Sequence, residues 1–205
     1  MEILASAFQS VSAVASIGRV ATRNNYFVSR CCNAVALGTV AADFYVKYGH
    51  DHSGDQLSGL ATFATLTART LLILALNFDD KNPRHMRWQK GIAAGAFGLC
   101  AVISMGGQLY LKGWIEPITI LPLGGVALGC WGEASNNMVL RRRRTFMMGA
   151  VMTAFGLSTH AWGLVAKNVV SDVGATLFFA SKYNDPPIPR MYSFIRPRLS
   201  GWLHF

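Results

Sequence analysis

The sequence predicts an all-α membrane protein, its seven transmembrane helices forming two parallel three-helix repeats joined by a linker helix. Three observations lead there. The chain is 52% hydrophobic and only 14% charged, against roughly 25% charged in soluble domains, so it cannot clothe a water-facing surface in charge. Its few charges cluster between apolar windows of roughly 16–22 residues, about the length that crosses a bilayer core as helix. The basic clusters also fall on alternate loops.

The predicted spans are 3–18, 28–47, 57–78, 91–111, 115–132, 145–166 and 168–183. The first, within "MEILASAFQSVSAVASIG", lacks a basic leading region and a cleavage site, so it reads as a retained span and not a signal peptide. The third, "LSGLATFATLTARTLLILALNF", and the fourth, "GIAAGAFGLCAVISMGGQLYL", carry the clearest apolar runs. Small residues recur through these segments ("GTVAA", "LGGVALG"), as suits close helix packing in lipid. The first span is short and serine-rich and the seventh contains Asp172, so six spans remain the alternative count. The chain then divides into a first repeat (1–78), a loop and linker helix (79–112), a second repeat (113–183) and a tail (184–205).

The run Arg141, Arg142, Arg143 and Arg144, with a net charge of +9, points first to nucleic acid. Topology explains it better, because cytoplasmic loops carry an excess of Lys and Arg. Arg19, Arg23 and Arg30 fall on the first loop, and Lys81, Arg84, Arg87 and Lys90 on the third. The four arginines fall on the fifth, and Lys182, Arg190, Arg196 and Arg198 on the tail. The other side holds Lys47, Lys112 and Lys167, and Arg69 lies within a span. This split places the N-terminus outside and the C-terminus inside. It makes the arginine run a cytoplasmic anchor with affinity for anionic lipid and excludes nucleic acid as its partner.

An internal repeat supports the division. "ASIGRVATRNNYFVSR" (15–30) parallels "GCWGEASNNMVLRRRR" (129–144), aligning Gly18 with Gly132 and Asn24-Asn25 with Asn136-Asn137; "SGDQLSGLATF" (53–63) faintly parallels "NVVSDVGATLF" (168–178). With the fourth span as linker, both copies take the same orientation, one of the known transporter plans.

The order of features, "ADFYVKYG", "ARTLL", "EPITILPLGG" with Trp131, and "RRRRTFMM…HAWG", resembles the YgjV-type bacterial inner-membrane proteins over roughly residues 5–182. More distantly it is similar to the SWEET, PQ-loop and PnuC-type carriers. That resemblance implies a 3+1+3 bundle and passage of a small solute. The chain departs from the pattern in its tail and lacks a PQ dipeptide, which leaves the substrate open.

Ionisable residues inside spans are costly and therefore candidate functional residues. Asp43 in the second span reads as a cavity carboxylate, or as a partner of Lys47 one turn on. Arg69 in the third reads as a clamp for an anionic group, or as a structural cation held by a carboxylate or carbonyls. His160 and Trp162 in the sixth read as substrate contacts facing the same path, or as a packing histidine and a belt aromatic. Pro122, Gly124 and Gly125 read as a hinge or an inert kink, and Glu133 as a partner of the nearby arginines. "HDHSGD" (50–55) lacks a scaffold that would converge its side chains on a metal. The four cysteines show no CxxC spacing, and no nucleophile elbow, zincin or phosphate-loop motif is present. No enzyme activity, cofactor or metal is expected.

The reading is a small-solute facilitator or carrier, with a cavity lined by the second, third, fifth and sixth spans. A non-transporting subunit or scaffold is the rival. The tail "PPIPRMYSFIRPRLSGWLHF", basic, aromatic and proline-broken, would lie on the cytoplasmic surface or dock a protein partner or a second copy.

Overall fold

The computed structural model describes residues 2–22, 25–78, 82–134 and 138–183, which form seven helices joined by short connections. They are α1 (Glu2–Ala21), α2 (Tyr26–Tyr48), α3 (Gly54–Ala75), α4 (Pro83–Lys112), α5 (Ile120–Glu133), α6 (Met138–Ser158) and α7 (Trp162–Lys182). By length and composition α3, α4 and α7 can each cross a membrane.

Local chemistry sets the ends. Asn25 caps α2 by accepting from the Val28 N–H at 3.1 Å. Asn82 caps α4 by accepting from the Arg84 N–H at 2.9 Å, with Pro83 in the first helical position, where its missing N–H is not needed. Gly113, at φ 74°, stops α4 in the left-handed conformation that glycine adopts without strain. Pro117 opens a 3-10 turn (Pro117–Thr119) that leads into α5.

The boundary between the predicted sixth and seventh spans moves. The arginine run is not a loop: it occupies the first two turns of α6. That helix ends at Ser158, and α7 starts at Trp162. Ala161 N–H bonds to Gly156 O at 2.8 Å and His160 N–H to Leu157 O at 3.4 Å, the paired closure of a Schellman motif. His160 takes its left-handed position at φ 55°. An apolar window passes over such a break because it senses side-chain polarity and not backbone conformation.

Successive helices within 1–75 and within 120–182 pack antiparallel, and α7 returns beside α1. α1 and α7 run parallel, with Gln9 against Gly163 and, ten residues on, Arg19 against Asp172. α3 lies against α5, while α4 packs outside both. One end of this bundle carries the arginine run and is called here the basic end. Toward the far end, the Phe44 ring stacks on Phe63 with centroids 5.6 Å apart and leans on Phe155 at 6.5 Å. Gly59 makes room for it: a Cβ there would fall 2.3 Å from the Phe44 ring. Val40, Val126 and Met152 complete a dry core around these rings.

Polar knots sit inside the apolar frame, and two of them tie helices together. Fully buried Gln108 holds Nε2 within hydrogen-bond reach of Gly54 O (3.0 Å), Ser58 Oγ (2.8 Å) and Thr119 Oγ1 (2.7 Å), which share its two N–H groups, and its Oε1 accepts from the Glu116 N–H at 2.8 Å. It ties the start of α3 to the end of α4 and the 3-10 turn. The second knot centres on Asp172. Its Oδ1 accepts from Arg19 Nη2 at 2.6 Å and its Oδ2 from Lys167 Nζ at 2.5 Å, and all three side chains are buried. Lys167 and Asp172 are five apart, which an α-helix would place on different faces. The π-helical stretch Asn168–Gly174 widens the turn and brings them together. Gly149 of α6 supplies the space, since a Cβ there would stand 2.7 Å from Asp172 Cβ.

Candidate functional site

A small cavity of about 20 Å³ lies between α1, α2, α3, α5 and α6, in the half of the bundle nearer the basic end. On the scale of internal cavities it holds a group the size of a water or two. Its polar wall is Arg19, Asn33, Arg69, Thr70 and Thr145; leucines, Gly129 and Met148 form the rest. Four of its five helices are those the sequence assigned to a central path, and α1 joins them through Arg19.

The two guanidiniums are fixed from behind. Arg19 Nη1 donates to Asn33 Oδ1 at 2.6 Å while Nη2 is held by Asp172. Asn33 Nδ2 in turn donates to Thr70 Oγ1 at 3.3 Å. Arg69, 3% exposed, donates through Nη2 to the Cys130 carbonyl of α5 at 3.2 Å. At Gly129 of α5 a Cβ would meet Met148 Sδ of α6 at 3.0 Å and Leu66 of α3 at 3.4 Å. Arg69 also borders a shallow apolar depression of about 320 Å³ between α3 and α4, lined by Ala68, Leu72, Ile92 and Leu99.

The other expected site residues lie elsewhere. Asp43, buried near the far end of α2, accepts at Oδ2 from Gln9 Nε2 (2.6 Å) and from Lys47 Nζ (2.7 Å). The pairing with Lys47 is thus formed, and α1 joins it. His160 and Trp162 are exposed at the turn between α6 and α7, their rings 6.3 Å apart. They share the far end with Asp43, since Gln9 touches both Asp43 and Gly163, but neither lines the cavity with Arg69. Helix α5 runs unbroken through Pro122, Gly124 and Gly125. Pro122 is its third residue, where a missing N–H costs little. Gly125 admits Met152, whose sulfur would lie 2.6 Å from a Cβ.

Arg141 and Arg142 are buried at the basic end, their guanidiniums 4.5 Å from the Tyr26 ring and 5.0 Å from the Tyr183 ring; Arg144 lies 3.9 Å from the Trp131 ring and donates to its carbonyl. Cations in the first turns of a helix oppose its dipole, so helix stability does not explain the run. Cation–π contacts offset part of that cost. The Glu133 side chain, Asn24, Asn136-Asn137 and the tail 184–205 lie outside the described residues.

Sequence reasoning missed the roles of Arg19, Lys167, Asn33 and Thr145. Asp172 was the available signal, because a carboxylate in an apolar span requires a cation, and Lys167 stands five residues before it. Compared with family models, curated proteins and solved structures, the chain matches none of them.

Proposed function

We propose that the chain is a multi-pass protein of the bacterial inner membrane, with seven spans, N-terminus outside and C-terminus cytoplasmic, that passes a small polar solute between its two three-helix units. The observation that carries this reading is the cavity at the junction of α1–α3 with α5–α6, polar on one wall and set in the half of the bundle nearer the basic end. The aromatic cluster of Phe44, Phe63 and Phe155 closes the route beyond it. On this account the two units rock about their shared core, with α5 bending at Pro122–Gly125, and α4 serves as the outer linker. Arg143 and Arg144, the less buried half of the arginine run, anchor the cytoplasmic side on anionic lipid. The distant resemblance to the SWEET, PQ-loop and PnuC-type carriers, which share the 3+1+3 plan, supports the passage of a small solute; the YgjV type lends no activity of its own.

A non-transporting subunit of a larger assembly is the second reading. The observation in its favour is the open face of α4, where Cβ positions at Gly91, Gly95 and Gly98 meet nothing within 4 Å. Solute flux separates the two. Liposomes containing the purified protein are challenged with small osmolytes (sugars, amino acids, short carboxylates), and swelling is followed by light scattering. The carrier reading predicts faster entry of at least one solute than in protein-free liposomes, and at least a tenfold slowing in Thr145→Trp, which fills the cavity. Rates equal to protein-free liposomes for every solute would set the carrier reading aside in favour of the subunit.

A further inference from the structure

We infer that the cavity is an anion site: the solute presents a carboxylate or comparably small negative group to Arg19 and Arg69. This inference rests on the carrier reading for its physiological sense, but it stands on separate observations. Both guanidiniums line the cavity, and no Asp or Glu stands among its described lining residues. Hydrogen-bond donors accompany them, since the Thr145 hydroxyl and the Asn33 amide share the same wall.

The charge balance behind that wall points the same way. Arg19 and Lys167 both rest on Asp172. Two buried cations on one carboxylate leave a surplus positive charge where the surrounding dielectric is low and the surplus is felt strongly. Arg19 Nε is buried and makes no hydrogen bond among the described residues, on a side chain 7% exposed. With Nη1 on Asn33 and Nη2 on Asp172 the guanidinium is fixed in place, and its remaining N–H donors can make the charge-assisted hydrogen bonds by which guanidiniums bind carboxylates. Arg141 and Arg142 at the basic end add positive potential along the approach, which raises the local concentration of anions.

The cavity's size limits the ligand. About 20 Å³ accepts the charged head of a small solute, and the body of a larger one enters only as the units part. A neutral sugar would leave the surplus charge unanswered, and a cation would be repelled by it.

Melting of the full-length protein in detergent tests this. The buffer contains a bulky sulfonate as its sole anion, and formate, acetate or phosphate is added at constant ionic strength, with sucrose as the neutral control. A ligand that binds the folded state raises Tm in a saturable way. The expected result is a saturable rise with at least one of the three anions and none with sucrose. The apparent Kd should increase tenfold or more in Arg69→Gln, which removes a charge, and in Thr145→Leu, which fills the cavity and leaves both arginines intact. If Arg69→Gln fails to fold, Thr145→Leu decides alone. No saturable rise with any anion, or the same rise in the variants, would overturn the inference. Flux of a neutral osmolyte without an anion shift would leave the carrier reading standing and remove this one, whereas an anion shift without flux would do the reverse.

Discussion

Asp172→Asn is expected to be among the most destabilising single substitutions in the chain. The asparagine retains size and shape but removes the charge that, among the described residues, answers both Arg19 and Lys167. Removing one partner of a buried ion pair costs about 3–5 kcal/mol because the other is left charged and desolvated. Here two cations lose the same partner, so the upper part of that range is expected. Replacing all three residues with apolar ones (Arg19→Leu, Lys167→Met, Asp172→Leu) should recover most of the loss, since a whole buried ion pair exchanged for packed apolar groups is often neutral or stabilising. Melting in detergent reads both variants. A loss below about 1 kcal/mol for Asp172→Asn, the scale of an exposed pair, would mean that the knot does not hold α1 to α7.

Gln108→Leu should cost about 2–6 kcal/mol. Leucine fits the volume but strands the Glu116 N–H and the Thr119 hydroxyl, and each polar group left unsatisfied on burial costs roughly 1–3 kcal/mol. Gln108→Glu separates hydrogen bonding from shape: its carboxylate still accepts from Glu116 but cannot donate to Gly54, Ser58 or Thr119. It should be at least as destabilising as leucine. The damage should appear at the junction of α3 and α4, as faster hydrogen exchange around Gly54–Ser58 than in α6.

Helix existence was legible from the sequence where apolar runs were long and free of charge, as in α3 and α4. Arg69 was legible as well, because a guanidinium set among "ATLTA" and "TLLILAL" must find an acceptor inside the bundle, and it found the Cys130 carbonyl. What escaped was whatever depends on conformation or on contacts distant in sequence. The break at His160 is a left-handed turn made by a residue type that only modestly favours that region, so an apolar reading runs the sixth span past it and puts His160 and Trp162 inside. The charge of the arginine run suggests water and hence a loop, although arginine is a good helix former and aromatic rings receive it. Arg19 was counted with the basic loop; its partner lies 153 residues away, and nothing local announces the pair. The π-helical register that joins Lys167 to Asp172 has no sequence signature of its own.

In the proposed arrangement the bundle spans the membrane and its polar cavity opens toward the arginine-bearing, cytoplasmic side. Thiol labelling of oriented vesicles tests it most directly. With Cys31, Cys32, Cys100 and Cys130 replaced, Thr145→Cys probes the cavity and Lys112→Cys the far end of α4. A membrane-impermeant thiol reagent is applied to inside-out and right-side-out vesicles. The account predicts that Thr145→Cys reacts from the cytoplasmic face alone and Lys112→Cys from the outer face alone. Labelling of both from one face, or of Thr145→Cys from the outer face, would contradict it.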